Sequence, residues 1–412
     1  MKLFYLSENK IKRRVSLDFK CSLSDILPKI TKYFPEADNS QIQKWEESGA
    51  LEYKIIDGEK RYFNNAAENL MRIDAEAREL KYKLEGKERA GRDYILQNHI
   101  REVLSNQSTP HTWNFMHRIY LTKECGLEDG ELLSAWLPAP YENSRLQSNI
   151  KLLYSNIEAQ LNLETPHANA YMQQKYNADA TTKFEVKYQF TTRAEYHQLP
   201  DNFVHISIDA QNREVAEYLQ ERAPHCIFTK EIKLLAKQII GNETRPYYQG
   251  RLLFEAMRTL YPWTSAREYS TITNIPQYVI REKHGDCGQI TLLFVTLCRY
   301  IGIPARWQSG FMLHPGYENL HDWAEIYIEN MGWIVVDASF GVQQWGKTET
   351  ERYFYYGGID AFRMVVNRDW GRELSPQKKY ERSETVDFQR GEIETATKNL
   401  YFDRWHYEFK VF

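Results

Sequence analysis

The chain of 412 residues contains no Cys-x-x-Cys pair. Its five cysteines, Cys21, Cys125, Cys226, Cys287 and Cys298, are scattered and odd in number. That pattern argues against a zinc knuckle and against a disulfide framework. No apolar run is long enough to span a membrane. Met1 to Leu6 is followed at once by Glu8, Lys10, Lys12, Arg13 and Arg14, so no signal-peptide core is present. If Met1 is the native start, the expected location is the cytoplasm; if the chain is trimmed, it is periplasmic or secreted. A net charge of −3 is too near neutral to suggest nucleic acid as a partner. No internal repeat is visible, and neither a cofactor nor a metal is expected.

What is present fits a globular protein with large cores: 42% hydrophobic and 26% charged residues. The length predicts two to four domains. The 28 Tyr and 10 Trp would suit an extended peptide or glycan surface, but cores and strands absorb aromatics too, and that is the reading preferred here.

The stretch from His284 to Gly341 carries the chemistry. Cys287 lies in His284-Gly285-Asp286-Cys287-Gly288-Gln289. After it, Ile290, Leu293, Phe294, Leu297 and Ile301 recur at three- and four-residue steps, the period of one helix face. Gly302 and Pro304 stop that helix. Gly285 and Asp286 suit its start, so Cys287 falls in the first turn. There the helix dipole favours the thiolate, which is the nucleophile. Ala324, Ile326 and Ile328 alternate with Glu325, Tyr327 and Glu329 as a strand does. Asn330-Met331-Gly332 predicts a turn, and Trp333 to Asp337 the next strand. Adjacent antiparallel strands would bring His321 near Asp337. A carboxylate on one imidazole nitrogen leaves the other free to take a thiol proton. Taken singly, Cys287 reads as a small buried hydrophobe, His321 as a core histidine and Asp337 as a strand-end cap. All three in this order point to a nucleophilic thiol. His284 lies three residues before Cys287, but two ligands do not make a metal site, and it is read as structural. Cys298, on the same helix as Cys287, is read as packing.

The same stretch resembles the core of the transglutaminase-like superfamily, relatives of papain-type cysteine proteases. The matching features are Gly285-Asp286-Cys287-Gly288, Gly302-Ile303-Pro304-Ala305-Arg306, Gly310, His321-x-Trp323-x-Glu325, and Gly332-Trp333 to Asp337-x-Ser339. They run from about Leu253 to Gly341, under a quarter of the chain. The resemblance implies Cys287 as nucleophile, His321 as general base and acid, and Asp337 as the orienting residue. It also implies an oxyanion donor upstream of the cysteine. Trp263, Tyr269 and Gln277 are candidates, beside the backbone N–H of Cys287. Gln289 and Trp323 are further substrate-side candidates. Gly288 departs from the pattern, since many members carry Trp or another large residue there. Its small size is expected to admit water beside the sulfur. The missing cysteine pairs count against the superfamily's glycan-releasing peptide amidases, which the resemblance links to a zinc module.

Elsewhere, residues 1–105 predict a mainly helical region. Its helices start near Ser24, Ser40 and Ala66, and an Asp57-Gly58 hairpin interrupts them. The region reads as a partner-binding or positioning module, or as a packed extension. Residues 106–200 predict a β-rich, sandwich-like domain, with alternation at Phe115, His117, Ile119 and Leu121 and at Phe184, Val186, Tyr188 and Phe190. Trp136-Leu137-Pro138 ends a strand there, as in the β-domain that often precedes the core in bacterial transglutaminase-like proteins. Residues 201–412 would hold the catalytic core. Tyr353 to Gly358 is expected as a pocket wall, a lid or a packed loop, and Trp405, Tyr407, Phe409 and Val411 as a final strand. The fold expected is α+β, with a transglutaminase-like, papain-like core. The function expected is acyl transfer from a protein or peptide amide through a thioester, with hydrolysis favoured. The alternatives are a crosslinking transglutaminase, or a non-catalytic interaction or glycan-binding scaffold.

Overall fold

The structure is a computed structural model that describes residues 6–198, 213–329 and 331–412. It mixes helix and sheet, and its centre is one helix, Cys287–Tyr300. Asp286 caps this helix by accepting from Gln289 N at 2.9 Å, and Gln289 Oε1 accepts from Asp286 N at 3.2 Å. This reciprocal pairing satisfies two otherwise free N–H groups. Every residue from Cys287 to Arg299 is buried, which explains a sequence apolar nearly all round. Gly302, at φ +87°, ends the run in a conformation that L side chains rarely adopt.

The cysteine helix packs on a four-stranded antiparallel sheet. Its order is Gly332–Val336, Asn319–Ile328, Ala305–Met312, Arg363–Asn367. Both faces of the sheet are buried. Ala305, Trp307, Ala324, Ile326, Ile334 and Val336 share a core with the cysteine helix. Trp323, Val335 and Val365 face the other way, against Tyr141, Leu146 and Ala168. Alternation along each strand therefore sorts side chains into two separate interiors. The turn predicted at Asn330-Met331-Gly332 lies partly outside the described residues, since Asn330 is not among them. Gly332 has φ +83°.

Residues 111–192 form two further sheets that face each other. One runs Trp405–Val411, His111–Leu121, Lys183–Thr192, Gln147–Ser155. The other is built on Leu132–Pro138 and Asn169–Lys175, and it takes in Glu392–Thr395. Phe115, Ile119 and Phe184 of the first meet Leu133, Ala135 and Met172 of the second. Phe311, Met364 and Val366 of the four-stranded sheet join the same core. The C-terminal strand pairs along its whole length with His111–Leu121. The chain thus returns to its earlier β-rich part after leaving the cysteine helix.

The N-terminal helices, Leu23–Thr31, Asn39–Glu47, Ala66–Ile73 and Ala75–Leu104, close around their own core. The long pattern that begins at Ala66 is two helices. Asp74 ends the first and caps the second, its Oδ1 accepting from Ala77 N at 2.9 Å. The Asp57-Gly58 turn has both residues at positive φ, as a two-residue hairpin requires. This region braces the segment before the cysteine. Asn69 holds both N and O of Ser265, at 2.8 and 2.9 Å, and Asp18 accepts from Glu268 N at 3.0 Å.

Gly310 sits at an irregularity of the pairing between Ala305–Met312 and Arg363–Asn367. A Cβ there would overlap the carbonyl oxygen of Met364 and come within 2.9 Å of Val366 N. Glycine in a strand marks such close backbone approach. Gly310→Ala is therefore expected to lower stability by about 3 kcal/mol or more, at the upper end of overpacking costs. Urea unfolding followed by far-UV circular dichroism measures it; an unchanged midpoint would show that the two strands can part without penalty.

Candidate active site

Cys287 is the first residue of its helix and is 8% exposed. It lines a cavity of about 190 Å³. The walls come from three places in the chain: Trp263 to Ser270 before the helix, Asn319, Leu320 and Asp322 on the central strand, and Ser383 to Arg390 near the end. The thiol donates to Asp322 Oδ2 at 3.2 Å. Asp322 Oδ1 accepts from Gln389 Nε2 at 3.2 Å, and the same amide also donates to the carbonyls of Gly310 and His321. Tyr269 donates its hydroxyl to both oxygens of Asp286 at 2.7 Å.

Around this cavity burial dominates the titrations. It pushes the Cys287 thiol well above its usual value, and the negative charges of Asp322 and Asp286 push the same way. The helix start was expected to favour the thiolate. A helix end contributes at most about 2 kcal/mol, and full burial beside carboxylates outweighs it. Burial, then Asp387 and Asp286, raise the Asp322 carboxyl well above the usual range. Burial raises Asp286 to about 6 against the hydrogen bonds that hold it.

His321 and Asp337 are brought together. His321 Nε2 lies 2.7 Å from Asp337 Oδ2. Ser339 Oγ and Phe340 N donate to Asp337 Oδ1 at 2.9 and 3.1 Å. Arg363 Nη1 lies 3.1 Å from Asp337 Oδ2, and its other nitrogens bind Asp360 at 2.9 and 3.0 Å. Burial alone would raise the Asp337 carboxyl, but His321, Arg363 and these hydrogen bonds bring it below the usual value. Burial lowers His321, with Asp337 opposing. The pair is thus a carboxylate and a neutral imidazole that donates from Nε2. The imidazole stacks on Trp323 at 5.9 Å and meets the Phe340 ring edge-on at 5.1 Å.

The three residues singled out in the sequence are not joined into one hydrogen-bonded chain. His321 shares the strand face of Trp323, whereas Asp322 turns toward the cysteine helix. The thiol's hydrogen bond goes to Asp322, and among the described residues none joins Cys287 to His321.

Of the other candidates, Tyr269 and Trp263 line the cavity, and the Trp263 ring lies 4.4 Å from the Arg72 guanidinium. Gln277 does not line it. Gln277 is on the Ile275–Glu282 helix with its amide toward Glu231 at 3.4 Å. Trp323 is fully buried on the opposite face, its indole N–H bound to Gln308 Oε1 at 2.6 Å. Gln289 serves the helix cap, and its Nε2 has no partner among the described residues. Gly288 does not open space beside the sulfur. A Cβ there would strike the Tyr269 hydroxyl and come within 2.8 Å of Asp322 Oδ2 and of Trp307. The small residue is required because those groups already fill the space. His284 is structural: Nδ1 is 2.9 Å from Thr264 Oγ1, and burial lowers it to about 4. Cys298 is fully buried in the core of its helix. Tyr353 to Gly358 is packed, with Phe354 and Tyr355 fully buried. Sequence reasoning passed over Asp322, Asp387, Gln389 and Arg363. Asp322 had a signal: it is the middle residue of His321-x-Trp323, and on a strand it must face opposite to both.

Comparison with known proteins places one segment of the chain in a family. Residues 233–338 match the transglutaminase-like superfamily. That segment belongs to the transglutaminase-like superfamily. A curated relative, the uncharacterised protein YebA of Bacillus subtilis (strain 168), is 28% identical over 81 residues. The match takes in 16% of this chain and spans only 11% of that protein. Among solved structures, a candidate cysteine protease from Cytophaga hutchinsonii aligns at a TM-score of 0.45 and 16% identity, over 74% of this chain and 91% of that one. The periplasmic domain of TgpA from Pseudomonas aeruginosa aligns at 0.28 and 14% identity, over 55% of this chain and 88% of that one.

The Asp322 carboxylate opposes ionisation of the thiol, so Asp322→Asn should move the onset of Cys287 alkylation to lower pH. Iodoacetamide labelling across a pH series, with peptide mapping, reads this directly. A profile that stays in place would mean that burial and Asp286 set the thiol without Asp322.

Proposed function

We propose that this chain transfers the acyl group of a peptide or carboxamide bond to water through a thioester on Cys287, as a protease, amidase or deamidase. One observation carries the reading: within a transglutaminase-like segment, a helix-start thiol lines a cavity beside a strand whose histidine is paired with a buried carboxylate. In this reading Cys287 Sγ attacks the carbonyl carbon, and its proton passes to His321 Nδ1 once substrate binding turns the imidazole from its resting place on the Trp323 face toward the cavity. His321 returns that proton to the leaving amine, and a thioester forms. Water then attacks, gives a proton to His321, and the thiol is regenerated as the acid leaves. Asp337 holds the imidazole by Nε2 throughout. The Cys287 N–H is the group best situated for the oxyanion; the Tyr269 hydroxyl would serve only by leaving Asp286. Substrate displaces the resting hydrogen bond between thiol and Asp322, since catalytic contacts often tighten only when substrate binds.

The resting contact at 3.2 Å also favours a second route for the proton. Here Asp322 accepts it, its raised affinity for protons making it a better base than an ordinary carboxylate. His321 and Asp337 are then a structural pair.

Turnover of amide peptides separates the two routes. The first reading expects Cys287→Ala and His321→Ala to abolish turnover with the fold intact by near-UV circular dichroism. Asp337→Asn should lose roughly 10²–10⁴-fold, as orienting groups do, and Asp322→Asn should keep turnover. Loss in Asp322→Asn with His321→Ala spared selects the second route. Full activity in Cys287→Ala would place the nucleophile elsewhere, and no turnover in the unsubstituted protein would leave only a binding scaffold.

The acceptor follows from the cavity, whose walls are mainly polar and charged, with Glu268, Asp286, Asp322, Glu384 and Asp387 among them. Such walls hold water rather than exclude it. A glutamine peptide offered with excess primary amine should give mainly the free acid by mass spectrometry. Dominant amine incorporation would reassign the chain to crosslinking.

A further inference from the structure

The cavity beside Cys287 has an imbalance of charge that the acyl-transfer chemistry does not use. Five carboxyl groups line it, those of Glu268, Asp286, Asp322, Glu384 and Asp387, against two guanidiniums, Arg267 and Arg390. Arg390 is committed to Glu268, at 2.7 Å from both oxygens, and to Glu384 at 2.7 Å. The Arg267 guanidinium lies over the Tyr278 ring at 4.7 Å. Asp286 is held by the helix cap and Tyr269, and Asp322 by the thiol and Gln389. Asp387 is different. It is 8% exposed and lines the cavity, yet no hydrogen bond or ion pair to its carboxyl group exists among the described residues. A buried carboxyl group without a partner is costly, and natural structures satisfy such groups.

Burial and the neighbouring Glu384 raise the Asp387 carboxyl well above its usual value; Arg390 and Arg382 oppose this without forming an ion pair with it. An incoming cation would reverse that penalty, because opposite charge favours the ionised form. The space of about 190 Å³ far exceeds the 10–15 Å³ or so that admits one water. Among the described residues no group of three or more His, Cys, Asp or Glu is arranged to hold a metal ion. An organic cation is the occupant that fits.

We propose that this cavity receives a positively charged side chain of the acyl donor, the ammonium of a lysine or the guanidinium of an arginine, with Asp387 as its counter-ion. The proposal deepens the acyl-transfer reading by naming its substrate class, and it rests on that reading only for the word substrate. The site itself is a cation pocket whether or not Cys287 turns over.

The test needs no turnover. Cys287 is modified in separate reactions by three methanethiosulfonates of similar size, bearing an ammonium, a neutral and a sulfonate group. In each the thiolate attacks the sulfenyl sulfur, a disulfide forms and sulfinate leaves. Rates at Cys287 and at the more exposed Cys21 are followed by peptide mapping. Taking the ratio of cationic to anionic rates at one thiol cancels its thiolate fraction. Charged clefts raise local counter-ion concentration and rates by about 10–10³-fold, so the ratio at Cys287 should exceed that at Cys21 by at least about tenfold. Asp387→Asn should shrink it toward the Cys21 value. Equal ratios at the two thiols, or a Cys287 ratio unchanged by Asp387→Asn, overturn the proposal. Charge selectivity without amide turnover would uphold the pocket while ending the acyl-transfer reading.

Discussion

The arrangement of this protein depends on a four-stranded sheet buried on both faces. A strand has two sides, and here both sides meet protein rather than water. Neighbouring residues on Asn319–Ile328 therefore enter different interiors. His321 goes to one, with Asp337, Arg363, Phe340 and Trp323. Asp322 goes to the other, with the thiol of Cys287. Whatever chemistry the site performs must pass a proton within or across this division, and each route assigns the work to a different neighbour along one strand.

Double burial also sets the electrostatics. In a dry interior the ionised form of an acid needs a partner. Asp337 has Arg363, two hydrogen-bond donors and the imidazole, and it stays a carboxylate. Among the described residues Asp322, Asp286 and Asp387 make no ion pair with a cation, and all three are raised. The same residue type is thus shifted in opposite directions in the two environments. Glu325 follows the first pattern on the Trp323 face, fully buried but bound by Arg306 at 2.7 Å and Arg145 at 2.9 Å.

The remoter parts of the chain act on the site through this frame. The N-terminal helices fix Ser265 and Glu268 by backbone hydrogen bonds, and Arg14 reaches the carbonyls of Arg382 and Ser383. These are both flanks of the cavity. The C-terminal segment supplies Gln389, which holds Asp322 in place, before the chain ends as a strand on the sandwich. The cavity is thereby assembled from residues more than a hundred positions apart.

Local patterns were legible without any structure. The three- and four-residue steps after Cys287 specified its helix, and Gly302 its end, because helix period and φ > 0 are properties of a few consecutive residues. Alternation from Ala324 to Ile328, with a glycine before Trp333, specified two antiparallel strands, and so the contact of His321 with Asp337. The break at Asp74 leaves no mark in the spacing, because a capping aspartate reads as one more polar residue in a charged helix. Tertiary structure alone decided the partner of the thiol, since Asp322 meets Cys287 only through the packing of a helix on a sheet. It alone decided the direction in which that thiol titrates, because burial and distant carboxylates such as Asp387 leave no trace in local spacing. It also decided why residue 288 is glycine. The reason is the Tyr269 hydroxyl, Trp307 and Asp322 converging on one Cβ position, and convergence of separate segments is what a one-dimensional pattern does not encode.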